Sequence, residues 1–263
     1  MHRMLLCPPE FYEVRYEINA WMSLADAPDH ELAVKQWEGL RECLLGIGCA
    51  VDCLPPQSGW PDMVFTANAG VVRGTSVLLS NFRHEERAGE SPWNALWFQQ
   101  HGYEVARIPA HLAFEGEGDA LQCGKVWVCG YGFRTDEKAH RWVEDWAREP
   151  VVSVHLVDPH FYHLDTCFCP LREDFALLHP EAFDSIGQNA IRTLIPELIE
   201  VTGEEARRFA CNAIVSGSHI LLPEGCEQTE HRLQDHGYQT HALAMSEFIK
   251  AGGACKCLAL VLE

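Results

Sequence analysis

Twelve cysteines are spread over this 263-residue chain, yet no two of them form a C-x-x-C pair. The spacing of a zinc ribbon or a redox dithiol is therefore missing. Also missing is any apolar run long enough to cross a membrane, and the opening MHRMLLC is too short for a secretion signal. Basic side chains are scarce: 20 Lys and Arg stand against 38 Asp and Glu, a formal charge of −18. That balance excludes nucleic acid, whose phosphates require cations, and argues against an anionic membrane surface. It favours the approach of a cationic small molecule. These absences point to a cytoplasmic protein whose cysteines are thiols, most of them small buried apolar residues. Its expected partner is a small-molecule substrate, and a homo-oligomer is left open. Hydrophobic content of 47% with 22% charged residues is enough for a sizeable core.

What is present is a repeat. Residues 69–72 and 76–80 read as two strands around a glycine turn, followed by a helix over 91–101, with Ser91 as its cap, and a strand over 103–108. The same order returns three times. It runs through 120–122, 126–130, a helix over 136–148 and 151–157. It runs again through 165–170, 175–179, a helix near 185–194 and 198–201, and then through 213–216, 219–222, a helix over 229–236 and 238–243. A fifth unit appears when the ends are joined: strands at 257–262 and 3–7, a helix over 29–48, and a strand at 49–54. Along that helix Leu32, Trp37, Leu40, Leu44 and Ile47 fall on one side. A period of roughly 45–50 residues indicates a radial or solenoid array. Because one unit needs both termini, the expectation is a closed ring, which removes exposed sheet edges. The fold class is thus α/β: a five-bladed, pseudo-symmetric α/β propeller of ββαβ repeats, forming one catalytic domain over 1–263.

Reactive or amide-bearing residues stand at or just before the first strand of every unit. They are Asn68 in FTANAG, Glu115, Glu117 and Asp119 in FEGEGDAL, His163 and Asp165 in YHLDTC, Asn212 in FACNAI, and Cys257 in GGACKCL. In a five-fold ring such positions surround the axis and converge. Cysteine, histidine, carboxylates and amides together suit a thiolate nucleophile with a proton shuttle and a cation-binding site. His163 and Asp165, at i and i+2 on extended chain, point to one side. Of the closely spaced Cys255 and Cys257, Cys255 is read as structural. Glu115 and Glu117 are open to exchange of roles.

The segments FEGEGDAL, YHLDTCFCPL and GGACKCLAL resemble those of the guanidine-group-modifying enzymes, which include arginine deiminases, amidinotransferases and dimethylarginine dimethylaminohydrolases. CPPEFYEVRYEINAWM, GWPDMVFTANAG, ACN and EFIKAGGACKCL bring the resemblance nearest to the arginine dihydrolase branch, over nearly the whole chain. It departs in Ala20, where that branch has proline, and in the extra Glu117. The resemblance implies a five-bladed propeller with no metal and no organic cofactor. It implies Cys257 as nucleophile, His163 as general acid and base, Glu115 tied to that histidine, and Asp165 holding the substrate guanidinium. Asp119 and Asn212 would border the substrate and Phe65 would line the pocket. Arg87 and Arg134 would hold an α-carboxylate, although alone each reads as a solvated surface arginine.

Asn19 and Asn68 bear on the reaction. Deiminases and dimethylarginine hydrolases commonly carry aspartate at the Asn68 position, whereas the dihydrolase branch carries asparagine there and at Asn19. An amide can donate to a neutral ureido oxygen; an ionised carboxylate only accepts. The activity the resemblance implies is hydrolysis of L-arginine to ornithine, ammonia and carbon dioxide through a covalent thiouronium. The rival outcome is release of citrulline, as from a deiminase or a dimethylarginine hydrolase. A metal- or thiol-based sensor is the alternative from another class.

Overall fold

The computed structural model describes residues 2–262. Among these residues, fifteen strands form five sheets of three strands each. The first sheet holds β1 (Arg3–Leu6), β2 (Ala50–Cys53) and β15 (Leu260–Val261), with helix α1 (His30–Gly46) between β1 and β2. The second holds β3 (Gly70–Arg73), β4 (Ser76–Leu79) and β5 (Glu104–Arg107), with α2 (Glu90–Gln100) before β5. The third holds β6 (Ala120–Cys123), β7 (Val126–Tyr131) and β8 (Val151–His155), with α3 (His140–Ala147). The fourth holds β9 (Phe168–Arg172), β10 (Phe175–Leu178) and β11 (Glu197–Glu200), with α4 (Ser185–Leu194). The fifth holds β12 (Ile214–Ser216), β13 (His219–Pro223) and β14 (Gln239–Leu243), with α5 (Glu227–Asp235).

Each sheet repeats one pairing. The inner strand meets the middle strand antiparallel, across a short turn in four sheets and between the two ends of the chain in the first, and the middle strand meets the last in parallel through the helix. The middle strands are apolar on both faces: FALL in β10 is wholly buried, and β13 is buried from Ile220 to Pro223. That composition suits a strand covered on both sides. The outermost strands carry charge and exposure instead, as Glu104 and Arg107 in β5 and Glu200 in β11 show. Charged outer strands discourage pairing with another chain. The expected fifth unit forms from both ends of the chain. Met4 pairs Val261 and Leu5 pairs Leu260, and the Leu262 N–H donates to the Arg3 carbonyl at 2.7 Å.

Local chemistry accounts for the element ends and for several departures. Asp29 caps α1 by accepting from the Leu32 N–H. The buried face of α1 is Ala33, Gln36, Trp37, Leu40 and Leu44, while Leu32, expected inside, is exposed. Ser91 does not cap α2. The helix starts at Glu90, which Arg87 engages from the preceding turn, and the Ser91 hydroxyl donates to the Ser80 carbonyl.

Two inner strands begin later than expected: β9 at Phe168 rather than Asp165, and β15 at Leu260 rather than Cys257. Tight 3₁₀ turns precede three of the inner strands, at Thr66–Ala69, Gly116–Gly118 and Leu164–Thr166. Residues 251–252 and 255–258 likewise form turns. His163 and Asp165 are therefore not two steps along an extended chain, and neither are Cys255 and Cys257, which a strand would place on one face. A turn can aim successive side chains at one point, which a pleated strand cannot.

Candidate active site

Those turns bring the polar residues together. Cys257 is buried, and its backbone N–H donates to Asn212 Oδ1 at 3.1 Å, as does that of Ala254. Asn212 Nδ2 reaches the Asp165 carbonyl and Cys257 Sγ, both at 3.1 Å. One amide thus fixes the backbone and the sulfur of the cysteine. The thiol donates to Asp165 Oδ2 at 3.3 Å, while Asp165 Oδ1 is buried without a partner. Burial pushes the Cys257 thiol well above its ordinary range, and Asp165 adds to the shift. Burial also pushes the Asp165 carboxyl up to about 7, with Lys256 pulling in the other direction. This corner favours protonated, neutral groups until a cation enters.

The opposite corner is ionic. Glu115 Oε2 lies 2.9 Å from His163 Nε2 and accepts from Arg134 Nη1 at 2.9 Å. Burial opposes the charge on Glu115, but Arg134 and the His163 contact more than offset it, so its carboxyl lies far below the ordinary range. Asp119 accepts from the Thr135 hydroxyl at 2.7 Å and from the Leu164 N–H at 3.1 Å. It stands 3.9 Å from His163 Nε2, and burial pushes its carboxyl up to about 6. The chain approaches very closely here: a Cβ on Gly118 would sit 2.4 Å from Asn68 Nδ2 and 3.2 Å from the His163 ring.

Asn68 lies between a donor and an acceptor. Arg87 Nη1 donates to its Oδ1 at 2.9 Å, and its Nδ2 donates to the Glu115 carbonyl at 3.1 Å. Arg87 is in turn gripped by both oxygens of Glu90, at 2.8 and 2.9 Å, and its Nη2 donates to the Asp62 carbonyl. Phe65 packs edge-on against Tyr12, and its ring leaves no room for a side chain at Gly253.

Arg87 and Arg134 are both buried, at 3% exposure, which overturns the surface reading their sequence contexts give. Their partners come from distant segments: Asp62 and Asn68 for Arg87, and Glu115 and the Ile18 carbonyl for Arg134. Asn19 is turned to another task. Its Oδ1 accepts from the Trp21 and Met22 N–H groups and its Nδ2 donates to the Ala251 carbonyl, pinning its loop to the turn that carries Cys257. Glu117 does not share the place of Glu115; it accepts from Lys256 Nζ at 2.7 Å. That pair and Asp165 face an axial cavity of about 290 Å³ lined by inner-strand residues such as Val72, Ala120, Cys169 and Val215.

Sequence reasoning missed Asp62, Glu90, Lys256 and Tyr162. Asp62 is buried with Oδ1 unpartnered and Oδ2 accepting from the Tyr16 hydroxyl. Its only signal was its place in GWPDMVFTANAG. The Tyr162 hydroxyl donates to the Gly252 carbonyl, with the Arg134 guanidinium over its ring at 4.7 Å.

Five three-stranded sheets, with cysteine, histidine, carboxylates and amides gathered ahead of their inner strands, define a five-bladed α/β propeller. Residues 17–261 match the family model described as N,N dimethylarginine dimethylhydrolase, eukaryotic. The chain belongs to the dimethylarginine dimethylaminohydrolase family, near its arginine dihydrolase branch. It is 38% identical to the N(G),N(G)-dimethylarginine dimethylaminohydrolase of Mycobacterium tuberculosis, over 99% of this chain and 86% of that one. It is 43% identical to the bifunctional arginine dihydrolase/ornithine cyclodeaminase ArgZ of Synechocystis, over 98% of this chain but 37% of that one. The chain thus spans about two-fifths of the length of that relative. The crystal structure of the N-terminal domain of ArgZ bound to substrate superposes with a TM-score of 0.96 at 41% identity, covering 100% of this chain and 98% of that one. No helix among the described residues is long and apolar enough to cross a membrane.

Proposed function

We propose that this protein is an arginine dihydrolase that uses Cys257 as nucleophile and no cofactor, and that it works as a single catalytic domain in the cytoplasm. The observation that carries the reading is the setting of Asn68. Arginine is donor-only and a backbone carbonyl acceptor-only, so Arg87 and Glu115 together fit an amide at that position. An aspartate there would satisfy Arg87 but would face the Glu115 carbonyl, oxygen to oxygen. The likeness to the ArgZ N-terminal domain supports the same reading.

The chemistry follows from the two corners. The substrate guanidinium enters beside Asp165, whose unpartnered Oδ1 offers it an acceptor. The cation favours ionisation of both Asp165 and the Cys257 thiol. The thiolate attacks the guanidine carbon, one C–N bond breaks, and His163 gives the departing ammonia its proton. His163, held by Glu115, then takes a proton from water, which displaces the thiolate and leaves the ureido group of citrulline. Asn68 holds that neutral group for a second attack, which releases a second ammonia and, after a second water, carbon dioxide and ornithine. Arg134 retains free N–H groups at Nε and on both Nη atoms, and with Arg87 it receives the α-carboxylate.

Purified protein incubated with L-arginine should yield ornithine and about two ammonia per arginine, read by mass spectrometry and an ammonia assay. Asn68→Asp should make citrulline accumulate. Citrulline with a single ammonia from the wild type would support the deiminase reading. Turnover of methylated arginine alone would support the dimethylarginine hydrolase reading, which the family model also favours.

A further inference from the structure

Glu90 is nearly fully buried, and none of the chemistry above uses it. Its two oxygens hold Nε and Nη2 of Arg87 at 2.8 and 2.9 Å, a bidentate grip that fixes the plane of the guanidinium. Nη2 also donates to the Asp62 carbonyl at 3.1 Å, leaving Nη1 to face Asn68. The guanidinium of Arg87 lies over the Phe82 ring at 4.5 Å, which blocks tilting on that side. An amide side chain is nearly symmetric in shape, so only its partners decide which end is oxygen and which is nitrogen. Arg87 decides it for Asn68 by donating to Oδ1. The NH₂ group is thereby turned toward Glu115 and the reacting corner.

We infer that Glu90 is a positioning residue for the second hydrolysis: through Arg87 it sets the orientation of the Asn68 amide and so the fraction of citrulline that is retained. The inference rests on the dihydrolase reading. Glu90 touches no position where substrate would sit; it acts only through the chain Glu90–Arg87–Asn68. The first hydrolysis depends on Cys257, His163, Glu115 and Asp165, which Glu90 does not contact. Because Arg87 also shares in holding the α-carboxylate, weakening the grip should raise KM, but at saturating arginine it should change the products more than the rate of arginine consumption.

The test is the ratio of citrulline to ornithine released at saturating arginine. Glu90→Gln keeps one strong acceptor and loses the other. It should raise that ratio about ten-fold, the lower end of the net worth of one hydrogen bond to a charged group, while arginine consumption changes by less than about two-fold. Glu90→Asp keeps the charge on a shorter side chain and should fall between that variant and the wild type. Because Glu90→Gln leaves a buried guanidinium poorly compensated, its melting is followed by circular dichroism; should it fail to fold, Glu90→Asp is read by the same criterion. A folded variant with the wild-type product ratio overturns the inference. So does one that loses both hydrolyses in equal proportion, since that is what general damage to the fold would produce. A wild type that stops at citrulline overturns the dihydrolase reading itself and the inference with it, whereas ornithine from the wild type with an unmoved ratio in the variants overturns the inference alone.

Discussion

Glu115 and Asp165 are both almost wholly buried, both precede inner strands, and both touch a catalytic candidate, yet they are tuned in opposite directions. Burial acts on both. For Glu115 it is outweighed by Arg134 and His163, and the carboxyl is held far below the ordinary range. For Asp165 it wins, because Lys256 offsets it only partly and gives its hydrogen bonds to Glu117 and the Ala259 carbonyl. The contrast favours an anion beside His163 and a neutral carboxyl beside the Cys257 thiol. Environments that push like groups apart are how acid and base tasks are assigned at neutral pH.

The largest effect belongs to the thiol on the Asp165 side. Cys257→Ser should abolish arginine turnover, by about 10³-fold or more, as loss of a nucleophile does. A serine variant within ten-fold of wild type would show that the covalent route is wrong. Next comes the ionic corner. Glu115→Gln should lower turnover by about 10²–10⁴-fold. It should also destabilise the fold by about 3–5 kcal/mol at pH 7, because Arg134 keeps its charge in a buried place. A carboxyl held low stabilises the fold above its unfolded value and loses that contribution as pH falls through the folded one. The deficit of the variant should therefore shrink below about pH 4.5. Thermal melts across pH check the sign.

Asp165→Asn should reverse it. A carboxyl held high stabilises the fold below its unfolded value, and that contribution is lost as pH rises toward about 7. The asparagine variant should therefore match wild type near pH 4 and melt higher at pH 8, by about 2 °C or more, while losing at least about 10²-fold in activity. In the wild type kcat/KM should rise through about pH 7 as Asp165 becomes free to pair with the guanidinium. If the two variants drift the same way with pH, the contrast between the corners fails. The smallest effect is at Cys255. It is fully buried in the apolar cluster with Leu40, Phe248 and Ala254, away from both carboxylates, and burial pushes its thiol up. Cys255→Ser should leave kcat within about two-fold of wild type and cost about 1–3 kcal/mol of stability through its buried hydroxyl.

The ring was legible because its repeat is written in short-range patterns, including helix α4, and because one unit could be completed only from both ends. The places of Asn68, Glu115, His163, Asn212 and Cys257 ahead of inner strands followed from the same repeat. Other features were hidden because they depend on partners from distant segments. Arg87 looks solvated in HEERAGE and is dry only because Asp62, Asn68 and Glu90 close around it. Glu115 and Glu117 are two residues apart and alike in sequence; a 3₁₀ turn sends one to His163 and the other to Lys256. Reading 165–170 and 257–262 as strands from their first residues failed because each stretch opens on a turn.

The sheet that joins the two ends of the chain also has a consequence in time. Synthesis runs from the amino end, so β1 is made early and waits unpaired on one side until β15 has emerged. Cys257 arrives three residues before β15. Every carboxylate, arginine and amide of the site is therefore translated before the thiol. A nascent chain can assemble four complete sheets and both carboxylates of the site while lacking the proposed nucleophile. If Cys257 is the nucleophile, reactivity toward the substrate arrives only with the segment that closes the ring.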